Sequence, residues 1–455
     1  MSPVFPSKNQ SQARQAAYAA TSTLKPQPTS IVAYQSRGHL LLIGNPQSID
    51  AFGEPPEGLS LESIRGEGLP HMADITIQGA LGQFVVTVAG QTIKADLILD
   101  LMPRPILGMS LKPPGYITAD LSRQNLQHLK HTLSELRGTF EKPRYFDYNE
   151  SLCAHGRSGK KGCTRCLEAC PAEAITSQIN KIQVDPYRCQ GGGICATVCP
   201  SGAIRYAYPK PEDLLTQLRV LILSYLKAGG SAPDLIFATE EQQQRAQQAL
   251  PSALLITVEE VASVGPEVWL SAISWGARSV RLFDLDNMPP TSRQALELPL
   301  AMVQTLLSTM NYPATAVALL TASSELITCS VMPDITPSAH AVTIEKRQAF
   351  YLALDHLVTQ AEKTNPQVTL PSGSIFGEVI LDQSRCTLCM ACVSACPGNA
   401  LQDGRTQPQL GFLEANCLQC GLCTSTCPEN AIHLSPRLLL DHEQRQTPRI
   451  LHEET

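Results

Sequence analysis

The chain has 455 residues, 43% of them hydrophobic, with 16 cysteines and a formal net charge of −6. At ~150 residues per domain this length predicts about three domains, and an acidic balance argues against a general nucleic-acid binder, which needs a basic stripe to displace counterions. No run reaches the ~18 apolar residues that span a bilayer and the N-terminal MSPVFPSKNQSQARQ lacks the apolar centre of a signal peptide, so the expected location is cytoplasmic, where abundant thiols serve metals rather than disulfides.

Residues 1–30, rich in Gln, Ser, Ala and Pro, read as a flexible tail or at most one frayed helix. A small α+β domain is expected over residues 31–145. Order begins at Ile31-Val32-Ala33 and the apolar run His39-Leu40-Leu41-Leu42-Ile43-Gly44. From Asp74 to Leu101 the apolar period is two: Ile75, Ile77, Phe84, Val86, Val88, Ile93 and Leu97 alternate with polar residues, punctuated by Gly79, Gly82 and Gly90. That pattern predicts an antiparallel meander. Leu121, Leu126, Leu129, Leu133 and Leu136 then form a helical stripe that stops at Gly138. His39, His71, His128 and His131 stand alone and read as structural or solvated.

The first cysteine-rich region, expected as a domain over residues 146–208, runs Cys153-x9-Cys163-x2-Cys166-x3-Cys170-Pro171. It continues as Cys189-Gln190-Gly191-Gly192-Gly193-Ile194-Cys195-x3-Cys199-Pro200. Each half ends in an Ala-Ile pair, Ala174-Ile175 and Ala203-Ile204, which suggests a trailing helix. The insertion Gly156-Arg157-Ser158-Gly159-Lys160-Lys161-Gly162 lacks the spacing of a phosphate-binding loop and links no strand to a helix. It reads as a basic flap, in which Arg157, Lys160, Lys161 and nearby Arg165 would favour a reduced cluster or dock an acidic partner, or else as a plain solvated loop.

Residues 209–364 alternate helix and strand. Leu214, Leu215, Leu218, Leu221, Ile222 and Leu226 make a broad helix face, and Leu235–Phe237, Leu254–Ile256, Val280–Phe283 and Ala316–Leu320 are buried-strand runs separated by helical stretches. This predicts a doubly wound α/β domain. No GxGxxG joins a strand to a helix, so a dinucleotide site is not supported. Cys329 stands alone and reads as a core thiol or, failing that, a reactive one. After a Pro/Gly-containing linker a second cysteine-rich domain is expected over residues 365–437, followed by a tail at 438–455 with a peripheral helix and a frayed end.

This second region is the most regular: Cys386-x2-Cys389-x2-Cys392-x3-Cys396-Pro397, then Cys417-x2-Cys420-x2-Cys423-x3-Cys427-Pro428. Three thiolates on a tight loop can hold one face of an iron–sulfur cube, while the fourth cysteine of each run, read as opening a helix, reaches across to the other. The pairing rule gives set A as Cys386, Cys389, Cys392 and Cys427, and set B as Cys417, Cys420, Cys423 and Cys396. Zinc is the competing metal, but its tetrahedral sites call neither for a third cysteine two residues on nor for the Cys-Pro endings. Applied to the first region, the rule gives set C as Cys153, Cys163, Cys166 and Cys199, with Cys153 dependent on a nine-residue loop folding back. Set D has only Cys170, Cys189 and Cys195, because Gly192 occupies the slot of the missing ligand. Three [4Fe-4S] clusters are expected, and at set D a [3Fe-4S] cluster, a [4Fe-4S] cube with one iron on water or another ligand, or no cluster.

Residues 377–436 resemble bacterial two-cluster ferredoxins, and Gly265–Val268 with Gly276–Asp284 resemble the small α/β subunit found beside hydrogenases and heterodisulfide reductases. The chain as a whole resembles the four-cluster ferredoxin-like proteins that proteobacteria encode beside formate dehydrogenases. The residues that carry this are Cys163-Thr164-Arg165-Cys166, Cys189-Gln190-Gly191-Gly192-Gly193, Cys386-Thr387-Leu388-Cys389-Met390-Ala391-Cys392 and Asn416-Cys417-Leu418-Gln419-Cys420-Gly421-Leu422-Cys423. The resemblance implies two dicluster ferredoxin modules flanking an α/β domain, and longer members that continue past the equivalent of His452 with further cysteines. It also implies electron relay to or from a redox enzyme or electron-transfer protein such as a formate dehydrogenase. The competing readings are an assembly or redox-sensing factor for such an enzyme, and an enzyme with an open iron at set D.

Overall fold

The computed structural model describes residues 7–66, 75–285, 287–322, 332–362, 364–405 and 407–454. His71 and Cys329 lie outside the described residues.

The N-terminal segment departs from the expected tail. Lys8–Thr21 is a helix whose N-cap Ser7 and Gln10 cap one another reciprocally. Its buried face is Ala13 and Ala17, both without exposure, laid against the helix Pro211–Lys227. Arg14 donates to Gln247 Oε1 at 3.0 Å, and the Leu255 amide donates to the Tyr18 hydroxyl at 2.8 Å. An alanine face escapes a search for bulky apolar stripes, yet it lets two helix backbones approach closely.

The next domain contains the expected meander, Ile75–Gln78, Phe84–Val88 and Gln91–Ala95, in antiparallel order. Leu97, assigned to the meander from its periodicity, belongs instead to a separate four-stranded parallel sheet: Ser60–Arg65, His39–Gly44, Leu97–Asp100 and Tyr116–Thr118. The unbroken runs HLLLIG and LILD fit strands buried on both faces. Leu40 and Leu42 face the helix Leu126–Glu135, and Leu41 and Ile43 face the meander.

The strands Leu254–Thr257, Asp234–Ala238, Ser279–Phe283 and Val317–Leu320 form, in that spatial order, a second parallel sheet. Their successive connections run through the helices Gln243–Ala249, Pro266–Ser274 and Pro290–Thr309. Leu235 and Phe237 point into the main core with Leu218, Trp269 and Val303, while Ile236 and Ala238 pack on the other face with Ala246. Helices therefore cover both faces.

The two cysteine-rich modules are small antiparallel units. In the first, Phe146–Tyr148 pairs with Ile204–Tyr206 and Ile175–Gln178 with Lys181–Val184. In the second, Glu378–Leu381 pairs with Ile432–Ser435, and Leu401–Asp403 and Gln409–Phe412 form a hairpin. The C-terminal segment is not a frayed end. Arg449–Glu453 adds a third strand to that hairpin, and Arg445, without exposure, lies 4.5 Å over the Tyr351 ring while donating to the Leu439 carbonyl at 2.7 Å. Burial of a guanidinium needs partners, and Asp355 supplies the charge. The linker also pairs, Gln367–Thr369 against Arg437–Leu439, so the boundary expected at residue 437 falls inside a packed unit.

Candidate iron–sulfur centre

Four short helices position the thiols: Arg165–Ala169, Ile194–Val198, Ala391–Ala395 and Leu422–Thr426. Cys170, Cys199, Cys396 and Cys427 sit at their C-caps. The fourth cysteine of each run thus closes a helix rather than opening one, because the following proline pushes it to an extended conformation. Each run then turns through a left-handed residue, Glu173, Gly202, Asn399 or Asn430, into a buried alanine. The amides of Ala174, Ala400 and Ala431 reach back to the sulfurs of Cys170, Cys396 and Cys427 at 3.4, 3.2 and 3.4 Å. At Cys199 the Ser201 hydroxyl takes this place, 3.7 Å from the sulfur. The pairs Ala174-Ile175 and Ala203-Ile204, read as trailing helices, and the matching Ala400-Leu401 and Ala431-Ile432 instead lead into the strands Ile175–Gln178, Ile204–Tyr206, Leu401–Asp403 and Ile432–Ser435.

Cys153, Cys163, Cys166 and Cys199 line one cavity, with Tyr148 and Ile182. Cys396, Cys417, Cys420 and Cys423 line another, with Val379 and Leu434. In set A, burial and then the thiols of Cys386 and Cys389 push Cys392 up to about 11; Cys427 ends the helix that packs on Ala391–Ala395. In set D, burial and then Cys189 and Cys170 push Cys195 well above the usual thiol range. Burial likewise raises Cys163 to about 11 and Cys420 to about 12. Thiols in such surroundings become ligands only when a cationic group compensates the thiolate charge.

The loop after Cys153 does fold back. Gly156–Arg157 and Lys160–Lys161 form a hairpin, closed by bonds from the Gly162 amide to the His155 carbonyl at 2.7 Å and from the Cys163 amide to the Ala154 carbonyl at 2.9 Å. His155, 1% exposed, anchors it: Nδ1 lies 2.9 Å from the Cys163 carbonyl and Nε2 2.6 Å from Ser177 Oγ. Sequence reasoning passed over His155, whose one signal is its place two residues after Cys153.

At set D, a Cβ on Gly192 would meet Pro171 Cγ at 3.4 Å, an ordinary contact. The Tyr145 ring lies against neighbouring Gly191 and stacks on Tyr206, centroids 6.2 Å apart. Lys142 donates to the Tyr187 carbonyl at 3.0 Å and to the Cys189 carbonyl. Its pKa is pushed down to about 8 by burial, against the pull of Cys189 and Asp185.

Two further cations come from the α/β domain, at the start of the helix Lys346–Gln360. Lys346 donates to the carbonyls of Ala196, Thr197 and Cys199 at 2.6, 2.7 and 3.0 Å. Arg347 donates to those of Ala415 and Cys417 at 2.8 and 3.0 Å. Nothing in the sequence marked either residue.

The sites fit an iron–sulfur group on their chemistry: thiol donors gathered in sets, amides and a hydroxyl directed at sulfur, and cations beside the ligand loops. Among the described residues no three His, Cys, Asp or Glu side chains are placed to hold a single metal ion. A cleft of about 780 Å³ opens beside the carboxyl ends of Asp234–Ala238 and Ser279–Phe283, lined by Glu240, Glu241, Glu259, Glu260 and Asp284. Its carboxylates would repel the phosphates of a dinucleotide.

Comparison with known proteins agrees with this chemistry. Residues 161–203 match a 4Fe-4S dicluster domain, and residues 385–432 match a second 4Fe-4S dicluster domain. A stretch of 52 residues is 38% identical to "Hydrogenase-4 component A" of Escherichia coli (strain K12), covering 11% of this chain and 25% of that protein. The match spans about a quarter of that relative's length. The chain carries two iron–sulfur domains of the electron-transfer type. Among the described residues no helix is long and apolar enough to cross a membrane.

Proposed function

We propose that the protein is a four-site iron–sulfur electron carrier that relays electrons to or from a redox enzyme, with a formate dehydrogenase as the first partner to test. When bound, each cluster takes up or gives up one electron at a time. Sets A, B and C each offer four thiols to a [4Fe-4S] cluster. Set D offers three, suited to a [3Fe-4S] cluster or to a cube with one iron held by a non-thiol ligand. The observation that carries the reading is the cysteine spacing of the two dicluster domains, which hold 14 cysteines between them, with Cys153 just ahead of the first.

The residues around the sets have separable tasks. The amides of Ala174, Ala400 and Ala431 and the Ser201 hydroxyl offset negative charge on sulfur, and Lys346 and Arg347 do so from the α/β domain. Both effects favour a reduced state. Tyr145 packs against Gly191, and Pro171 borders the missing ligand position at Gly192 while leaving room for a Cβ there. Cys389, which is exposed, places set A nearest to a docking partner. The formate dehydrogenase partner is suggested by the overall resemblance of the chain, and the hydrogenase component supports a complex-bound electron-transfer role more generally.

The test is anaerobic purification with iron and sulfide analysis, then mixing with formate-reduced dehydrogenase. About fifteen or sixteen irons per chain and bleaching of the visible absorbance on mixing are expected. Zinc in place of iron would overturn the reading. Transient binding to the immature enzyme alone, without electron uptake, would favour the assembly factor.

A further inference from the structure

The insertion between Cys153 and Cys163, read from sequence as a basic flap or a solvated loop, is where the two modules meet. Gly162, directly before Cys163, packs on the second module. A Cβ there would stand 2.6 Å from Leu422 Cγ, 2.7 Å from the Ala154 carbonyl oxygen and 3.2 Å from that of Cys420. The first two contacts are closer than real Cβ atoms come; the one with Ala154 lies within the loop itself, and the one with Leu422 crosses the seam, so a side chain would press on the second module. Arg157 donates across the same seam to the Cys396 carbonyl at 3.2 Å, a residue 239 positions away in sequence. The Ser425 hydroxyl donates to the Lys161 carbonyl at 3.5 Å. On a second side Arg347 joins the Pro200 carbonyl, at 3.5 Å, to those of Ala415 and Cys417.

Every cysteine at this seam belongs to one of two sets. Cys163 and Cys199, which Pro200 follows, belong to set C; Cys396, Cys417 and Cys420 belong to set B. The seam buries Leu422 against Gly162, which serves stability, but it also sets the backbone of ligand residues face to face. Here the polypeptide thins to a glycine beside a ligand, with carbonyls of ligand residues on the opposite side. Tunnelling falls off approximately exponentially with separation, so thinness at this point matters electronically in a way that ordinary packing does not.

The geometry points to Gly162 and Arg157 as positioning residues of an inter-module electron junction between set B and set C, which makes the two modules one relay running from set A at the surface to set D. This rests on the proposed reading that the sets hold clusters. The exchange is of one electron, lost at one set as it is gained at the other, with no bond made or broken and no outside oxidant.

The experiment is dipolar electron paramagnetic resonance on full-length, anaerobically purified, fully reduced protein, with iron content measured on the same samples. The wild type should show a coupling across the seam of the same order as the couplings within each module. Gly162→Leu, with iron content retained, should lose the cross-seam coupling and keep the others; an unchanged spectrum would overturn the junction. If Gly162→Leu fails to fold or load iron, Arg157→Ala decides the matter, because its exposed side chain can be removed without opening a core. A weakened cross-seam coupling supports the junction, and an unaltered one overturns it. An iron-loaded wild type that takes no electrons from a dehydrogenase but shows the coupling leaves the junction standing and removes the proposed partner. An iron-loaded wild type without the coupling removes the junction alone.

Discussion

Single residues decide which thiol sets are complete. Gly192 has no positive φ and a Cβ would fit beside Pro171, so Gly192→Cys should supply the missing ligand. The expected result is one more iron per chain, or loss of an oxidised-state resonance in favour of a reduced-state one. An unaltered spectrum would argue against a cluster at set D. Cys392→Ser should remove the cluster of set A and spare that of set C, and unchanged iron in the second module would sink the assignment. Glu260 sets a pH dependence apart from the thiols. Burial, with Glu259, Asp284 and Glu241 around it, raises its pKa from 4.5 to about 7. The folded state then holds the proton more tightly than the unfolded state, so this group costs stability as pH rises from 4.5 through 7. Glu260→Gln should therefore be nearly neutral at pH 4 and stabilising by roughly 1–3 kcal/mol at pH 8, as read by urea denaturation at the two pH values.

Elements that looked peripheral are structural. The helix Lys8–Thr21 presents alanine, not leucine, to its neighbour, and its docking depends on the small methyl side chains of Ala13 and Ala17. Ala17→Asp would bury an unpaired carboxylate against the helix Pro211–Lys227. The helix should undock, exposing the segment around Thr23 to limited proteolysis while leaving the iron content of both modules intact; a protected variant would refute the docking energetics. The strand Arg449–Glu453 carries the same lesson at the other end. Its residues show no strong alternation, and only the open edge of the hairpin at Gln409–Phe412 gives it a partner.

At the scale of the whole molecule, the α/β domain is the clamp that joins the modules. Lys346 closes the helix Ile194–Val198 and Arg347 reaches both modules from one helix start. Arg347→Ala removes a charged donor beside Cys417, so the midpoint potential of the cluster at set B should fall by roughly 60 mV, one tenfold change in a one-electron equilibrium. Potentiometric titration followed by magnetic resonance reads this directly, and an unmoved potential would show that the cation acts only as a fastener.

The cysteine spacing by itself determined the chemistry. Local loops of two and three residues leave a thiolate little freedom in where it points, so the two-module iron–sulfur plan was legible at Cys386–Cys427 and, less cleanly, at Cys153–Cys199, while the assignment of thiols to sets and the three-thiol fourth site stand as proposals. The α/β strand runs were equally plain, because parallel strands buried on both faces read as unbroken apolar stretches. Tertiary structure alone decided what touches what. That Gly162 would face Cys420, that Arg347 would bridge Pro200 and Cys417, that His155 would tie back the loop after Cys153, and that the helix Lys8–Thr21 and the strand Arg449–Glu453 would dock are long-range facts. They depend on the packing of whole elements, and packing is fixed by shape and burial summed over many side chains rather than by the local pattern of any one stretch.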